Sequence, residues 1–181
     1  MPVKKEDNHS LGPLLACLND LKTWLAANFL HLNECKTEMV VFAPSNVSES
    51  SWVDVGSLSM YCKSMVKNLG VIFDNSLKFD KQVNAVVRSG FFQLRILTKV
   101  KSFLSFEDLE RVMHAFVTSR LDYCNALYAG INQSTVKRLQ IVQNAAARLL
   151  TGSRKRSHIT PILFSLHWLP IRYRIDFKAT L

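Results

Sequence analysis

The sequence lacks most of the patterns that assign a protein to a class at first sight. It has no run of about 18 apolar residues, so neither a membrane span nor a membrane partner is predicted. Its polar start contains no apolar signal segment, which favours an intracellular protein, cytoplasmic or nuclear. Its 4 cysteines never form Cys-x-x-Cys, so we expect reduced thiols and no zinc site.

Catalytic motifs are equally scarce. The sequence has no glycine-rich phosphate loop, no recognisable nucleophile–base pair and no Asp-Asp pair. Its nearest acidic clusters are Glu6-Asp7, in a start over residues 1–10 that we expect to be disordered, and Glu107-Asp108, which suits the positive end of a helix dipole. We therefore predict no catalytic residue, no metal ligand and no cofactor, and an enzyme of unrelated chemistry finds no support.

Basic charge is abundant, and it is concentrated in one half of the chain. The net charge is +9 at pH 7. Residues 1–80 contain 7 Lys and Arg against 9 Asp and Glu, whereas residues 81–181 contain 16 against 5. This asymmetry indicates a basic half that faces phosphate, RNA or acidic lipid. A helical bundle with a well-solvated basic surface is the alternative.

Residues 11–80 predict one helix and a small antiparallel sheet. Two apolar, β-branched runs, Thr37–Ala43 and Met65–Phe73, predict strands with a loop or weak hairpin between them. Gly70 inside the second run suggests a bulge or the close approach of another backbone. A turn is expected at Asp74-Asn75-Ser76. The helix is predicted to end at Asn28, from apolar residues at helical spacing at Leu14, Leu18, Leu21 and Leu25.

Residues 81–181 predict a bundle of four or five helices after a boundary near 78–82. The first helix covers 81–100, and a longer one runs from a cap at Ser105 to Gly130. A third is capped by Ser134 or Thr135 and ends at Gly152, and two short helices open at Pro161 and Pro170. The predicted fold class is α+β, a helix and small sheet followed by a basic helical bundle.

Each long helix has a predicted buried stripe. The stripes are Val83, Val87, Phe91, Leu94 and Leu97, then Leu109, Val112, Phe116, Tyr123 and Leu127, then Val136, Leu139, Val142, Ala146 and Leu149. The aromatic residues are assigned to the core rather than to base stacking. They are Phe91, Phe92, Phe103, Phe106, Phe116 and Trp168, with His167 beside the last.

Several segments follow one another in an order typical of one family. They are Leu14–Asn28, Asn33–Glu38, Leu69–Asp74, Ser119–Asn125, Leu139–Arg148 and Leu166–Pro170. Together they resemble the back of the palm, the motifs D and E, and the thumb of reverse transcriptases from LINE-type (non-LTR) retrotransposons. The resemblance covers roughly residues 11–181. It implies a partial palm over 11–80 and a helical, thumb-like region over 81–181.

The resemblance implies a piece of an RNA-directed DNA polymerase. Such enzymes hold two Mg²⁺ ions between Asp residues, one from an earlier strand and two from an Asp-Asp hairpin. No position of this sequence matches those residues, so we expect a C-terminal fragment that lacks its own cofactor and does not polymerise. The missing palm and fingers would be its partners. Its residual property would be weak, salt-sensitive binding of RNA or an RNA–DNA hybrid.

Three groups of residues become candidates through this resemblance. Lys36 would lie near the incoming triphosphate, although an exposed loop lysine explains it as well. Leu69, Gly70 and Val71 match the primer grip, and an ordinary hairpin is the alternative. A thumb grips the nucleic-acid backbone through cations. The candidates are Arg88, Arg95, Lys99, Lys101, Lys137, Arg138, Arg148, Arg154, Lys155 and Arg156.

A second function class stays open at this point. The basic helices could form a small nucleic-acid-binding or protein-interaction module that a host has adopted, without enzymatic activity. This requires the bundle to fold without the rest of the polymerase palm.

Overall fold

The chain divides into two compact units, described by a computed structural model over residues 11–42 and 56–181. The first unit extends to Leu77 and the second begins at Lys78, close to the boundary expected from the sequence. Most described residues are helical, and a two-stranded antiparallel sheet accompanies them, so the predicted α+β class is confirmed. The expected disordered start over 1–10 and most of the expected loop after Pro44 lie outside the described residues.

Within residues 11–42 and 56–77, the first unit has one α-helix, two short 3-10 helices and one hairpin. Helix α1 covers Gly12–Ala27, with Pro13 in its first turn, as the apolar spacing predicts. The 3-10 helices are Glu34–Lys36 and Gly56–Tyr61, and the strands are β1, Met65–Asn68, and β2, Val71–Asp74. None of the side chains of α1 is fully buried, and Leu21 is exposed. The predicted stripe of α1 is therefore only half-covered.

The prediction of two long strands is wrong. Residues 37–42 form a single bridge, between Met39 and Cys62, and no strand. The run Met65–Phe73 folds back on itself, and Asn68 pairs with Val71 across a two-residue turn. Gly70 lies at that turn with φ 85° and makes no bulge. Such a turn has the right twist for a hairpin and is short enough to be hidden inside an apolar run.

The second unit is a bundle built on two long helices that run in the same direction. Helix α2 covers Asp80–Val100, α3 Phe106–Met113, α4 Ser119–Asp122, α5 Gln133–Thr151, α6 Ile159–Ser165 and α7 Ile171–Ala179. At one end Thr135 Oγ1 donates to Asp80 Oδ1 at 3.3 Å, and at the other Lys101 Nζ donates to the Leu149 carbonyl at 2.6 Å. The core between them contains Val83, Leu94, Leu97, Leu139, Val142 and Ala146.

Helices α2 and α5 approach closely at Gly90. A Cβ at this position would lie 2.7 Å from Cγ1 of the fully buried Val142. The absence of a side chain on Gly90 therefore sets how near the two helices come. It also turns α2, so that Val86 and Gly90 face the core instead of the predicted Val87 and Phe91.

The predicted long helix from Ser105 to Gly130 is wrong in its second half. Ser105 caps it as expected, because its Oγ accepts from the Asp108 amide at 3.1 Å. However, α3 passes into a π-helical turn, His114–Thr118, and α4 then ends at Asp122. Cys124 follows in the left-handed region with φ 51°, and a 3-10 helix covers Asn125–Tyr128.

The π-helical turn explains which side chains of this segment are buried. They are Leu109, Met113, Val117 and Leu121 rather than the predicted Val112, Phe116, Tyr123 and Leu127. A spacing of four at every step drifts around a regular α-helix. A π turn takes up an additional residue, since it closes from i to i+5. The buried side chains therefore stay on one face.

The ends of the last three helices are close to those predicted. Asn132, not Ser134 or Thr135, caps α5, because its Oδ1 accepts from the Ser134 amide at 3.0 Å. Gly152 ends α5 at φ 67° as predicted.

The short helices and their flanking aromatic residues fit the predictions less evenly. Pro161 lies within the first turn of α6, and α7 begins directly after Pro170. Trp168 is buried, with its ring centroid 5.4 Å from that of His114, as predicted for the core. His167 is exposed, so its assignment to the core is wrong.

Candidate nucleic-acid interface

The outward face of α2 carries a row of cations. Helix positions separated by three, four or seven residues lie on the same side, and the side opposite this row is buried, at Val83, Leu94 and Leu97. The exposed residues in the row are Lys81, Arg88, Phe92, Arg95 and Lys99. We call these five residues the α2 row.

Three predicted cations of the α2 row are available to a ligand. Arg88, Arg95 and Lys99 are exposed, and their side chains make no ion pair or hydrogen bond within residues 11–42 and 56–181. They extend over about 16 Å of helix axis. By contrast, Arg138 on α5 has its Nη1 3.8 Å from Asp80 Oδ1. Unpaired cations that share one face attract a polyanion without first losing an internal partner.

Two aromatic rings interrupt this basic face, and their assignment to the core is wrong. Phe92 is 59% exposed and Phe91 is 40% exposed. The same correction applies to three other phenylalanines that we expected inside, Phe103, Phe106 and Phe116. The rotation of α2 is the physical reason in that helix, because Gly90 packs against Val142 and the next two residues, Phe91 and Phe92, are exposed.

Two other predicted cations have internal partners near the end of α5. Lys101 donates to the carbonyl of Leu149, where the helix dipole is negative. Arg148 donates from Nη2 to the Ser157 carbonyl at 3.1 Å, and its buried Nε has no partner among the described residues. Both side chains connect α5 to the segments beside it.

The remaining predicted cations of the bundle are spread over α5 and the turn after it. Lys137 is exposed on α5, whereas Arg138 is half-buried beside Asp80. Arg154, Lys155 and Arg156 are exposed in the turn between α5 and α6. The structure therefore brings together three predicted cations of α2, with Lys81, in one row, and it forms a separate basic turn at the C-terminal end of α5.

Lys36, the predicted triphosphate contact, belongs to the first unit. It is exposed on the 3-10 helix Glu34–Lys36, and its amide donates to Asn33 Oδ1 at 3.1 Å. Its neighbour Glu34 accepts from Lys22 at 2.8 Å. That hydrogen bond, together with the Glu34 charge, raises the pKa of Lys22 above its ordinary value. The charges of Lys22 and Glu34 thus neutralise each other.

An open groove of about 620 Å³ also lies in the first unit. Its lining is mainly apolar, with Leu14, Leu18, Met39 and Tyr61 among the residues. Lys22 and Glu34, at its border, pair with each other. A groove of this composition has no free cation among its described lining residues, so it does not extend the basic surface.

Neither a cluster of potential metal ligands nor a membrane-spanning helix occurs among the residues that the structure describes. Over the described part of the chain, no three His, Cys, Asp or Glu side chains come close enough together to hold a metal ion. Residues 11–42 and 56–181 contain no helix that combines the length and apolar character needed to span a bilayer. No protein family matches this chain, and no curated protein or solved structure is significantly similar to it.

Sequence reasoning identified Arg88, Arg95 and Lys99 of the α2 row but missed Lys81 and the exposed phenylalanine rings. The sequence did contain a signal for the exposure of Phe92. This residue lies four positions after Arg88 and three before Arg95, which places it on the same helix face as these two cations. Gly90 was the second signal. A glycine inside a long helix weakens it unless close packing requires one, and that packing decides which residues face outward.

The predicted primer-grip residues form the tip of the β1–β2 hairpin. Leu69 and Gly70 are the two turn residues, with φ 46° and 85°, and Val71 opens β2 in a buried position. Leu69 is 83% exposed. A leucine in the left-handed region is strained, whereas Asn-Gly is the preferred pair for a turn with two positive φ angles.

Replacing Leu69 with asparagine should therefore stabilise the hairpin. We expect a gain of about 0.5–1 kcal/mol, because asparagine accepts the left-handed backbone more readily. Slower amide exchange at Val66 and Phe73 would report the gain. Gly70→Ala is the matched control and should accelerate exchange at the same amides. Faster exchange in Leu69→Asn would contradict the strain assigned to this turn.

Proposed function

We propose that residues 78–181 bind the phosphate backbone of RNA or an RNA–DNA hybrid through the α2 row. We further propose that the chain is a piece of a LINE-type reverse transcriptase and that this bundle corresponds to its thumb. One observation carries the proposal: Arg88, Arg95 and Lys99 share an exposed helix face, and their side chains have no partner among the residues that the structure describes. The order of the sequence segments that resemble the family supports the second part.

The arrangement of these cations suits contacts with the phosphate backbone rather than recognition of a base sequence. Cations that contact phosphates position a protein on nucleic acid and carry no base information. A row along one helix can follow a backbone over several phosphates, and the basic turn at Arg154–Arg156 adds charge to the same unit. Each phosphate contact releases a counterion, so affinity falls steeply as salt is added.

The proposal includes no polymerase step. Adding a nucleotide requires two Mg²⁺ ions between closely placed carboxylates. The sequence has no Asp-Asp pair, and the described side chains do not gather into a cluster that would fit such a site. We therefore propose that this chain binds the nucleic acid and does not extend a primer.

The hairpin tip is compatible with a second contact to nucleic acid. In the family that the sequence resembles, the block matching Leu69–Val71 supports the primer end. An exposed tip with a strained residue is the kind of backbone found at functional sites. We propose this role for Leu69 and Gly70 within a complete polymerase only.

Removing three of the four cations of the α2 row, and leaving Lys81, tests the main proposal. The variant R88Q/R95Q/K99Q should bind a fluorescent RNA–DNA hybrid more weakly at low salt, because three phosphate contacts are lost. The slope of log affinity against log salt should decrease by about 2–3, since each contact contributes about 0.7–0.9. Fluorescence anisotropy between low and physiological salt measures both quantities.

A charge-matched control separates this site from net charge. The variant K22Q/R111Q/R172Q also loses three exposed cations, but each of these is paired, at 2.8, 3.3 and 3.9 Å from its carboxylate. It should retain most of the affinity. Equal losses of affinity in the two variants would show that binding depends on net charge and not on the α2 row. No binding by the unmodified chain at low salt would overturn the proposal.

A protein-interaction module is the second candidate, and one observation favours it. Helices α6 and α7 expose large apolar side chains, among them Phe164, Tyr173 and Phe177. Exposed aromatic residues are enriched where proteins bind other proteins. Cooperative unfolding of the purified chain, together with no affinity for nucleic acid, would support this candidate.

A further inference from the structure

The aromatic rings of α2 have a use that phosphate contacts do not supply. Phe92 is 59% exposed and stands in the centre of the α2 row, one turn after Arg88 and one turn before Arg95. Phe91 is 40% exposed and flanks the same two arginines. A grip on phosphates alone needs no ring here, and water solvates an exposed ring poorly.

We infer that the α2 row binds single-stranded nucleic acid, with Phe92 stacking on an unpaired base. Arg88 and Arg95 would contact the phosphates on either side of that base, and Lys99 the next one. The inference rests on the proposed function for these phosphate contacts, and it narrows the preferred ligand to an unpaired strand instead of a hybrid duplex. Alternating cations and aromatic rings are the combination that binds single strands without sequence preference.

The arrangement of the face favours a single strand over a duplex. Bases inside a duplex are covered on both faces by their neighbours, so a protruding ring meets no free base face there. An unpaired strand offers a base face at every nucleotide, and each such face can stack on an aromatic side chain. Phe92 therefore gains a partner only when the bound strand is unpaired.

The same face is poorly suited to a lipid surface. A helix that lies in a membrane interface presents a broad apolar side to the acyl chains. The continuous apolar side of α2 faces its own core, at Val83, Leu94 and Leu97. Its outward side is interrupted by Arg88, Arg95 and Lys99. A face on which cations alternate with rings therefore complements a polyanionic strand better than it complements a lipid surface.

Three probes of equal length test the inference on the full chain. They are a single-stranded RNA, an abasic phosphodiester strand with the same number of phosphates, and a blunt RNA duplex. The unmodified chain should bind the base-bearing single strand most tightly. Phe92→Ala should weaken that binding about 5- to 150-fold, the range measured for loss of one base–aromatic stack. Its affinity for the abasic strand should not change.

Conservative variants separate stacking from general hydrophobicity. Phe92→Trp should retain the affinity, and the fluorescence that it adds should be quenched by the RNA. Phe92→Leu should behave like Phe92→Ala, since leucine is apolar but has no aromatic face. Phe164→Ala removes another highly exposed ring, from α6, and should leave all three affinities unchanged. Circular dichroism would check that each variant is folded.

The outcomes separate this inference from the function on which it rests. Equal affinity for the abasic and base-bearing strands, or tightest binding of the duplex, overturns the stacking role while leaving the phosphate contacts in place. Binding that responds to R88Q/R95Q/K99Q but not to Phe92→Ala has the same meaning. Failure to bind any of the three probes overturns both. If the chain binds phosphatidylserine vesicles through Phe92 and does not bind RNA, the inference is wrong and the face binds a membrane.

Discussion

Gly90→Val should destabilise the helical unit by about 2–3 kcal/mol, the upper part of the range for overpacking a well-packed core. The first added carbon would lie 2.7 Å from Val142 Cγ1. Val142 is fully buried and branched at Cβ, so its methyl group has no other rotamer to adopt at low energy. The helices must therefore separate, and the contacts of Leu94 and Leu139 loosen with them. Denaturant unfolding followed by circular dichroism measures the loss.

Two variants control for the other effects of that substitution. Ala85→Val places the same side chain at an exposed position of α2 and should cost only the difference in helix propensity, about 0.5 kcal/mol. Val142→Ala opens the space that a larger residue 90 would need. The double variant Gly90→Ala/Val142→Ala should be more stable than the sum of the single changes predicts. Simple additivity would show that the two residues are not in contact.

Asp122→Ala should have the second-largest effect, a destabilisation of about 2–3 kcal/mol. The Asp122 carboxylate accepts from Arg174 Nε at 2.8 Å and from its Nη2, and it accepts from Asn125 Nδ2 at 3.3 Å. Asn125 is fully buried, and its Oδ1 has no partner among the described residues. Removing the carboxylate leaves the Arg174 charge and the Asn125 amide without partners. Breaking a buried pair in this way costs more than the pair itself contributes.

The size of this effect depends on how well water reaches the pair. Side-chain exposure is 23% for Arg174 and 21% for Asp122, so the loss should be smaller than the 3–5 kcal/mol of a fully buried pair. Asp176→Ala removes an exposed carboxylate 3.9 Å from Arg172 on the same helix. It should cost at most about 0.5 kcal/mol. Equal effects of the two substitutions would show that Asp122 is solvated like a surface residue.

The long helices could be predicted because their signals are local. Apolar spacing and terminal residues, such as the Ser105 cap and Gly152, act within one turn of the helix they shape. The hairpin turn at Leu69 and the break at Cys124 could not be predicted in this way. Leu69 and Cys124 are not residue types that usually mark a left-handed backbone, and the glycine of the turn, Gly70, is as typical of a bulge as of a turn. Tertiary packing holds these residues in place, and packing is not visible in spacing.

The candidate site could be predicted only in part, because exposure depends on helix rotation. The cations of α2 are identified by residue type alone. Whether Phe92 faces the core or solvent depends on the contact between Gly90 and Val142, two residues far apart in the chain. Charge counting also overstates the available cations. Lys101, Arg138 and Arg148 are engaged by Leu149, Asp80 and Ser157.

The π-helical turn His114–Thr118 has a consequence for how this segment can vary in length. Deleting Ala115 would change the spacing of the buried residues from four at each step to the four–three–four of a regular α-helix. The same four side chains would still point inward on an uninterrupted α-helix. A relative one residue shorter at this point would thus align with a gap here and keep its interior intact.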